Sequence, residues 1–223
     1  MAVLRGQRII RKVNLDPNHR SASTLAPALQ DTLKWCREQG QSPGFVSVAD
    51  GPGSFTGLRI GVTTAKTLCY ALNLPLVAVD SLAAIAAAAL HANPDFQTVW
   101  SVLNAYRGQV FTGEFERATL LPDETSTKAD WTGHPDTTEI LKQDAWDARL
   151  QQKHPKIGLT GDAKPLGARS VSALARDCDA IGVGLMAVRA AALGQFSDPM
   201  QLVPRYLKPS AAEENAAKPE IQS

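Results

Sequence analysis

Residues 51–61, Gly-Pro-Gly-Ser-Phe-Thr-Gly-Leu-Arg-Ile-Gly, join two stretches with different patterns. Before them, residues 45–48 (Phe-Val-Ser-Val) form a short apolar run that predicts a buried strand. After them, apolar side chains recur at steps of four and three, which predicts a helix from Leu58 to Leu72. The buried stripe of that helix comprises Leu58, Val62, Ala65, Cys69 and Leu72. A second apolar run at 76–79 completes a strand, glycine turn, helix, strand unit, for which we expect a parallel strand pair.

The composition is that of an ordinary soluble globular protein. The chain has 223 residues, of which 44% are hydrophobic and 20% charged, and its net charge is +1. This charge gives no overall field that would favour nucleic acid or membranes, and no apolar run is long enough to span a bilayer. Three widely spaced cysteines, Cys36, Cys69 and Cys178, predict small buried side chains in a reducing cytosol. We therefore expect a cytoplasmic protein.

The pattern of the remaining chain predicts further strands and helices on both sides of this unit. The expected strands are 1–4, 7–13, 99–104, 109–115 and 156–159, with hairpin turns at 5–6 and 106–108. The expected helices are 24–37, 81–91, 137–151 and 187–196. We divide the chain into an N-terminal part (1–96), a C-terminal part (97–208) and a disordered tail (209–223). The pattern is weak between 118 and 179.

The glycine turn (residues 51–57) admits two explanations based on phosphate binding. A Walker A loop is excluded because Leu58 stands where that motif needs lysine, and the next lysine is Lys66. A dinucleotide-binding turn remains open, with Gly51, Gly53 and Gly57 around a pyrophosphate and Asp80 on a ribose hydroxyl. On this alternative, the protein would be a nucleotide- or dinucleotide-binding enzyme.

Residues 51–61 resemble the signature of the TsaB (YeaZ) family, and the similarity continues elsewhere. It extends to the runs 74–79, 81–82, 104–111, 198–207 and 211–213. The resemblance implies an α/β fold of the actin-like/Hsp70-like (ASKHA) type, with a mixed sheet and flanking helices. In the family pattern a further strand precedes the one that corresponds to residues 2–4. We therefore expect the first N-terminal strand of the family fold to be missing here.

The resemblance implies a non-catalytic subunit of the tRNA N6-threonylcarbamoyladenosine complex. Such a subunit dimerises with the transferase subunit TsaD and helps to dock the ATPase TsaE. It meets tRNA only through the complex, and a homodimer is a further alternative. The residues agree with the absence of catalysis, because no nucleophile–base set or metal-ligand spacing is recognisable. We expect solvated positions for the four histidines, which are His19, His91, His134 and His154.

Two groups of site residues follow from the resemblance. The partner interface would comprise two helical faces, with the residues Leu25, Leu29, Leu33, Arg59, Thr63, Lys66 and Tyr70. The glycine turn would be either a tight crossover or a relic of a nucleotide-facing loop, with the residues Gly51, Gly53, Ser54, Thr56 and Gly57. No cofactor is required, and ADP or ATP at the partner interface is an expectation. For Asp50, Asp80 and Asp162 we expect capping or solvated roles, and Thr56 is a candidate helix cap.

Overall fold

The computed structural model describes residues 1–15, 21–121, 134, 137–167 and 179–208. The strands in these ranges are β1 (Ala2–Arg5), β2 (Arg8–Lys12), β3 (Val46–Gly51), β4 (Leu76–Asp80), β5 (Thr98–Asn104), β6 (Gln109–Glu116), β7 (Glu139–Lys142) and β8 (Ile157–Gly161). The helices are α1 (Ser21–Glu38), α2 (Phe55–Leu72), α3 (Ser81–Ala92), α4 (Arg117–Leu120), α5 (Gln143–Gln151), α6 (Ala163–Leu166) and α7 (Ala180–Ala192). None of these helices has the length and apolar character needed to cross a bilayer.

The described strands form three sheets. β1 and β2 are an antiparallel hairpin, and β3 and β4 are the expected parallel pair. The third sheet has the order β7-β6-β5-β8, in which β8 runs parallel to β5 and the other pairs are antiparallel. The fold is therefore α/β with both parallel and antiparallel strands, as the sequence predicted.

Helices cover both faces of the β3–β4 pair. On one face, Ala65 and Cys69 of α2 pack with Val46 and Val48. On the other face, β4 packs on α3 and α7, and the same core continues into β5 and β6. Helix α3 is almost fully buried because it lies within this shared core. A Cβ at Gly182 of α7 would overlap the backbone of Ala84, so the two helices approach closely.

Three sequence predictions need correction. The region 137–151 is a strand (β7) followed by a helix (α5), because Ile140 and Leu141 pair with β6 while Trp146 and Leu150 are buried on the helix. The last helix is Ala180–Ala192 and ends before Gly194, whose φ is +69°. The first helix begins at Ser21 and contains Pro27 in its interior. The division into two parts stays a prediction, and the tail 209–223 lies outside the described residues.

Candidate functional site

The glycine turn connects the end of β3 to the first turn of α2. The side chain of Ser54 accepts a hydrogen bond from the amide of Gly57 at 3.4 Å and so caps the helix. The sequence had suggested Thr56 for this role. Thr56 instead lies in the first turn of α2, where its side chain is exposed.

The chain's own C-terminal segment (residues 197–208) crosses the glycine turn. The amide of Arg205 donates to the carbonyl of Asp50 at 2.7 Å. Gly51 has a φ of +139°, and a Cβ at this position would overlap the carbonyl oxygen of Arg205. A Cβ on Gly57 would have its nearest neighbour at 3.5 Å, which is an ordinary contact. Of these two glycines, only Gly51 is therefore required by the close approach of another chain segment.

Four charged or titratable side chains form a cluster beneath this turn, here called the charge cluster: Asp50, Asp80, His134 and Arg205. Asp80 is 0% exposed, accepts from the amide of Ala83 at 2.8 Å and forms an ion pair with Arg205. Asp50 is also buried, and the ring Nε2 of His134 lies 2.8 Å from its carboxylate. Burial lowers the pKa of the Arg205 guanidinium, and the nearby Asp50 carboxylate opposes that change.

The charge cluster bears on two expectations. Asp80 caps α3, which is one of the roles expected for it, and its carboxylate is fully occupied by protein groups. It is therefore inaccessible to a ribose, which removes the main residue of the dinucleotide alternative. His134 binds Asp50 and is not simply solvated. No sequence pattern links these two residues, because 84 positions separate them.

A cleft of about 310 Å³ opens beside the glycine turn. One wall is residues 52–56, another is the β5–β6 hairpin turn at 104–107, and the third is residues 205–208. Three cationic side chains, Arg107, Arg205 and Lys208, line the cleft, and no acidic residue does so among the described residues. Four aromatic side chains also line it: Phe55, Tyr106, Phe111 and Tyr206. This lining suits an anionic ligand that carries a ring.

Only some of the predicted cofactor residues line this cleft. Gly53, Ser54 and Thr56 line the cleft, whereas Gly51 lies beneath the C-terminal segment and Gly57 lies within α2. The sequence argument missed the contribution of Arg107, Arg205 and Lys208. Their only signal was a positive charge near the predicted hairpin turn and near the C-terminal motif.

The outer face of α2 carries the helical residues predicted for a partner. Arg59, Thr63 and Tyr70 are exposed there, and Tyr70 is 84% exposed. Lys66 is held by the chain itself, because its Nζ donates to the carbonyl of Leu202 at 2.8 Å. Arg59 is partly engaged in the same way, since its Nε donates to the hydroxyl of Tyr206 at 2.9 Å. The outer face therefore remains largely open and is joined along one side by the C-terminal segment.

The C-terminal segment adds apolar surface that the sequence argument did not include. Met200 is 78% exposed and Val203 is 69% exposed. The backbone carbonyls of Met200 and Leu202 both lie within hydrogen-bonding distance of Lys66. The surface beside the outer face of α2 is thus more apolar than the helix alone would make it.

The three leucines of α1 are placed differently from the expectation. Leu25, Leu29 and Leu33 are partly buried and line an internal apolar cavity together with β1, β3 and α7. They lie on the side of α1 that faces this cavity. They are not part of the surface that Tyr70 presents.

Metal ligation finds no support among the described residues, which contain no group of three or more His, Cys, Asp or Glu side chains placed to hold a metal ion. Cys36 and Cys69 are buried and form no disulfide bond, as expected. Burial raises the pKa of the Cys69 thiol. The expectations for His19 and Cys178 fall on residues outside the described ranges.

Comparison with known proteins identifies the family. The family model described as TsaD, tRNA N6-adenosine threonylcarbamoyltransferase, matches residues 16–164, more than half of the chain. A Bacillus subtilis (strain 168) protein named tRNA threonylcarbamoyladenosine biosynthesis protein TsaB is 36% identical over 150 residues, 64% of this chain and 61% of that protein. The Escherichia coli (strain K12) protein of the same name is 30% identical over 57% of this chain and 51% of that protein. The chain belongs to the TsaB (YeaZ) family.

The match to TsaB proteins is incomplete in length. The chain spans between about half and three fifths of the two TsaB relatives just described. A Pseudomonas aeruginosa crystal structure, titled as an uncharacterized protein with similarity to peptidase YEAZ, superposes with a TM-score of 0.67. Sequence identity to it is 22%, and 93% of each chain is covered. Together with the match to the family model, this structural likeness supports the actin-like fold that the sequence predicted.

Proposed function

We propose that this chain is a non-catalytic subunit for the biosynthesis of threonylcarbamoyladenosine in tRNA. It would pair in the cytoplasm with the transferase TsaD and help to form the surface on which the ATPase TsaE docks. Contact with tRNA would come only through that assembly. The names of its relatives support this pathway, because the matching proteins of two bacteria are each named tRNA threonylcarbamoyladenosine biosynthesis protein TsaB.

The observation that carries the pairing role is the exposure of Tyr70. Its side chain stands 84% exposed on a helix whose opposite stripe is buried against β3. Aromatic side chains of this kind dominate the energetics of many protein interfaces. The exposed Met200 and Val203 of the adjoining C-terminal segment supply further apolar surface. A partner helix placed along α2 would bury these groups together.

The relationship between this chain and the transferase also supports pairing through α2, whose inner stripe is buried and whose outer face is largely open. Part of the chain is similar to the transferase itself, because the family model that matches residues 16–164 is described as TsaD. Two proteins that share a fold can pair through equivalent faces, as subunits of a two-fold dimer do. We therefore place TsaD on the outer face of α2, and a homodimer would use the same face.

The test compares the Tyr70→Asp variant with the parent protein, each with TsaD from the same organism, by co-purification and by surface plasmon resonance. A carboxylate at the centre of an apolar contact should reduce co-purification and raise the Kd at least tenfold. Ile140→Asp is the control, because Ile140 is exposed on β7 in the other sheet. Circular dichroism and thermal melting must show that both variants fold. Equal affinity of Tyr70→Asp and the parent would refute this placement.

A second role is favoured by the cleft beside the glycine turn. We propose that it holds ADP or ATP, with Arg107 and Lys208 near the phosphates and Tyr106 beside the base. The support is the wholly cationic charge of the described lining and the N-terminal turn of α2 at one wall. Calorimetric titration with ADP would test it. Arg107→Ala should weaken binding several-fold, whereas Arg149→Ala, on the distant helix α5, should not.

A further inference from the structure

The turn that joins β5 to β6 has an unusual backbone conformation. Residues 106–108 form this turn, and two of them line the cleft beside the glycine turn. All three have a positive φ, which is +59° at Tyr106, +52° at Arg107 and +71° at Gly108. Glycine adopts this region freely, whereas a Cβ crowds the backbone there. Tyr106 and Arg107 therefore hold a conformation that their own side chains disfavour.

The packing of the fold does not explain this strain. Tyr106 is 65% exposed, and Arg107 and Gly108 are exposed as well. A Cβ on Gly108 would meet no heavy atom within 4 Å, so close packing does not impose the shape at that position. An Asn-Gly pair adopts successive positive φ values more readily in hairpin turns. Because strained residues cluster at ligand sites and both large side chains line the cleft, the turn points to a role in binding.

Hydrogen bonds from the ends of two strands hold the turn in place. The amide of Tyr106 donates to Oδ1 of Asn104, the last residue of β5, at 2.9 Å. The amide of Asn104 donates to Oδ2 of Asp162 at 2.8 Å, across 58 positions of the chain. The amide of Asp162, which follows β8, donates to the carbonyl of Val102 at 2.9 Å. The carboxylate is thus fixed to β5, and Asn104 connects it to the strained residue.

The location of Asp162 makes its role separable from that of its charge. Asn104 lines the cleft, whereas Asp162 is not part of the described lining. Asp162 can therefore influence a bound ligand through the turn or through its charge. The cations of the cleft are Arg107, Arg205 and Lys208, and a neighbouring carboxylate opposes the attraction of an anion to them. Positioning by Asp162 strengthens binding and its charge weakens binding, so the two effects have opposite signs.

We propose that Asp162 and Asn104 are positioning residues of the cleft. They hold residues 106–108 in the left-handed conformation, so that Tyr106 and Arg107 line the cleft before a ligand arrives. The ligand then does not have to order the turn, and its affinity is not reduced by a population of incompetent turns. This inference rests on the proposed ADP or ATP site and adds to it a residue, Asp162, that lies behind the cleft wall.

The main test compares Asp162→Ala with Asp162→Asn by calorimetric titration of the full chain with ADP. Both variants lose the same charge, but only asparagine keeps an oxygen that can accept from the amide of Asn104. Asp162→Ala should bind ADP at least about fivefold more weakly than the parent, because the competent turn would be populated for only part of the time. Asp162→Asn should bind within about twofold of the parent or more tightly. Equal affinity of the two variants would overturn the proposal.

A second background shows whether the effect passes through the turn. Arg107→Ala removes one of the two side chains that the turn presents. In that background, Asp162→Ala should weaken ADP binding by a smaller factor than it does in the parent, because the two changes act on one element. Strict additivity of the two changes would mean that Asp162 supports the cleft in another way and would contradict the proposal.

Variants of Asn104 provide the same comparison if Asp162→Ala does not fold. Asn104→Ala removes the acceptor for the amide of Tyr106, whereas Asn104→Ser keeps a hydroxyl that can accept from it. Alanine should weaken ADP binding and serine should restore part of it. Asn93→Ala is the matched control, because it removes a side-chain hydrogen bond of an asparagine that precedes the opposite end of β5. Equal ADP binding by the alanine and serine variants of Asn104 would overturn the proposal.

Hydrogen exchange in the free protein separates this inference from the nucleotide role. The amide of Gln109 donates to the carbonyl of Tyr106 at 3.1 Å, so the amides of both residues report on the turn. By NMR, both should exchange faster in Asp162→Ala than in the parent or in Asp162→Asn. A parent protein that does not bind ADP would refute the nucleotide role, and the exchange rates would still decide whether Asp162 holds the turn. Equal rates in all three proteins would overturn the positioning role.

Discussion

The Cα of Gly51 faces the backbone carbonyl of Arg205 so closely that no other residue type fits at position 51 without movement of the chain. The amide of Arg205 also binds the carbonyl of Asp50, the residue before the glycine. The end of β3 and the C-terminal segment are therefore held together through their backbones. The glycine turn serves the packing of the chain itself, whatever ligand the neighbouring cleft accepts.

Gly51→Ala should lower the free energy of unfolding by at least about 2 kcal/mol. The added methyl group would meet a backbone atom, and the φ of +139° is unfavourable for alanine. Gly57→Ala is the matched control, since it lies in α2 with room for a methyl group and should be neutral or stabilising by up to about 1 kcal/mol. Urea unfolding measures both, and similar midpoints for the two variants would contradict the role assigned to Gly51.

Asp80→Asn should destabilise the fold by about 2–3 kcal/mol. Asparagine keeps an oxygen for the amide of Ala83 and so preserves the helix cap, but it removes the charge that pairs with Arg205. The control is Asp179→Asn, which also keeps a helix cap while removing an exposed pair with Lys12. That change should cost less than about 1 kcal/mol. A double-mutant cycle of Asp80→Asn with Arg205→Gln should show coupling, and strict additivity would argue against the pair.

The Cys69 thiol should make stability fall at alkaline pH. Burial raises its pKa in the folded state, so the folded protein holds this proton more tightly than the unfolded chain does. Its contribution is complete below the unfolded pKa of about 8.5 and is lost as the pH rises through the folded pKa. Thermal melting between pH 7 and pH 10 should show a smaller alkaline decrease for Cys69→Ala than for the parent. Parallel curves would mean that Cys69 makes no such contribution.

Tyr206→Ala should release the C-terminal segment from the start of α2. The tyrosine ring stacks on Phe55 with centroids 4.5 Å apart, and its hydroxyl accepts from Arg59. Loss of the ring should cost about 1–2 kcal/mol and speed proteolysis between residues 197 and 208. Tyr206→Phe keeps the stacking and should cost less than about 1 kcal/mol. If both variants are cleaved at the parent rate, the stacking does not hold the segment.

Local patterns predicted the centre of the fold. The apolar runs around 45–48 and 76–79, with the helical stripe between them, correctly indicated the parallel pair β3–β4 and the helix α2. These predictions succeeded because strand and helix periodicity depends on neighbours in sequence. The prediction for 137–151 was wrong because Ile140 and Leu141 fit a helical stripe as well as a strand. Only pairing with β6 decides between them.

The sequence by itself determined the family, the strand–turn–helix–strand unit and the exposed face of α2 that carries Tyr70. Only the tertiary structure decided the partners of the buried charges. Arg205 reaches Asp80 across 125 positions, and His134 reaches Asp50 across 84. It also showed that the α1 leucines line an internal apolar cavity. The physical reason is that side-chain spacing within one element shows which stripe is apolar, whereas the groups that cover that stripe come from distant parts of the chain.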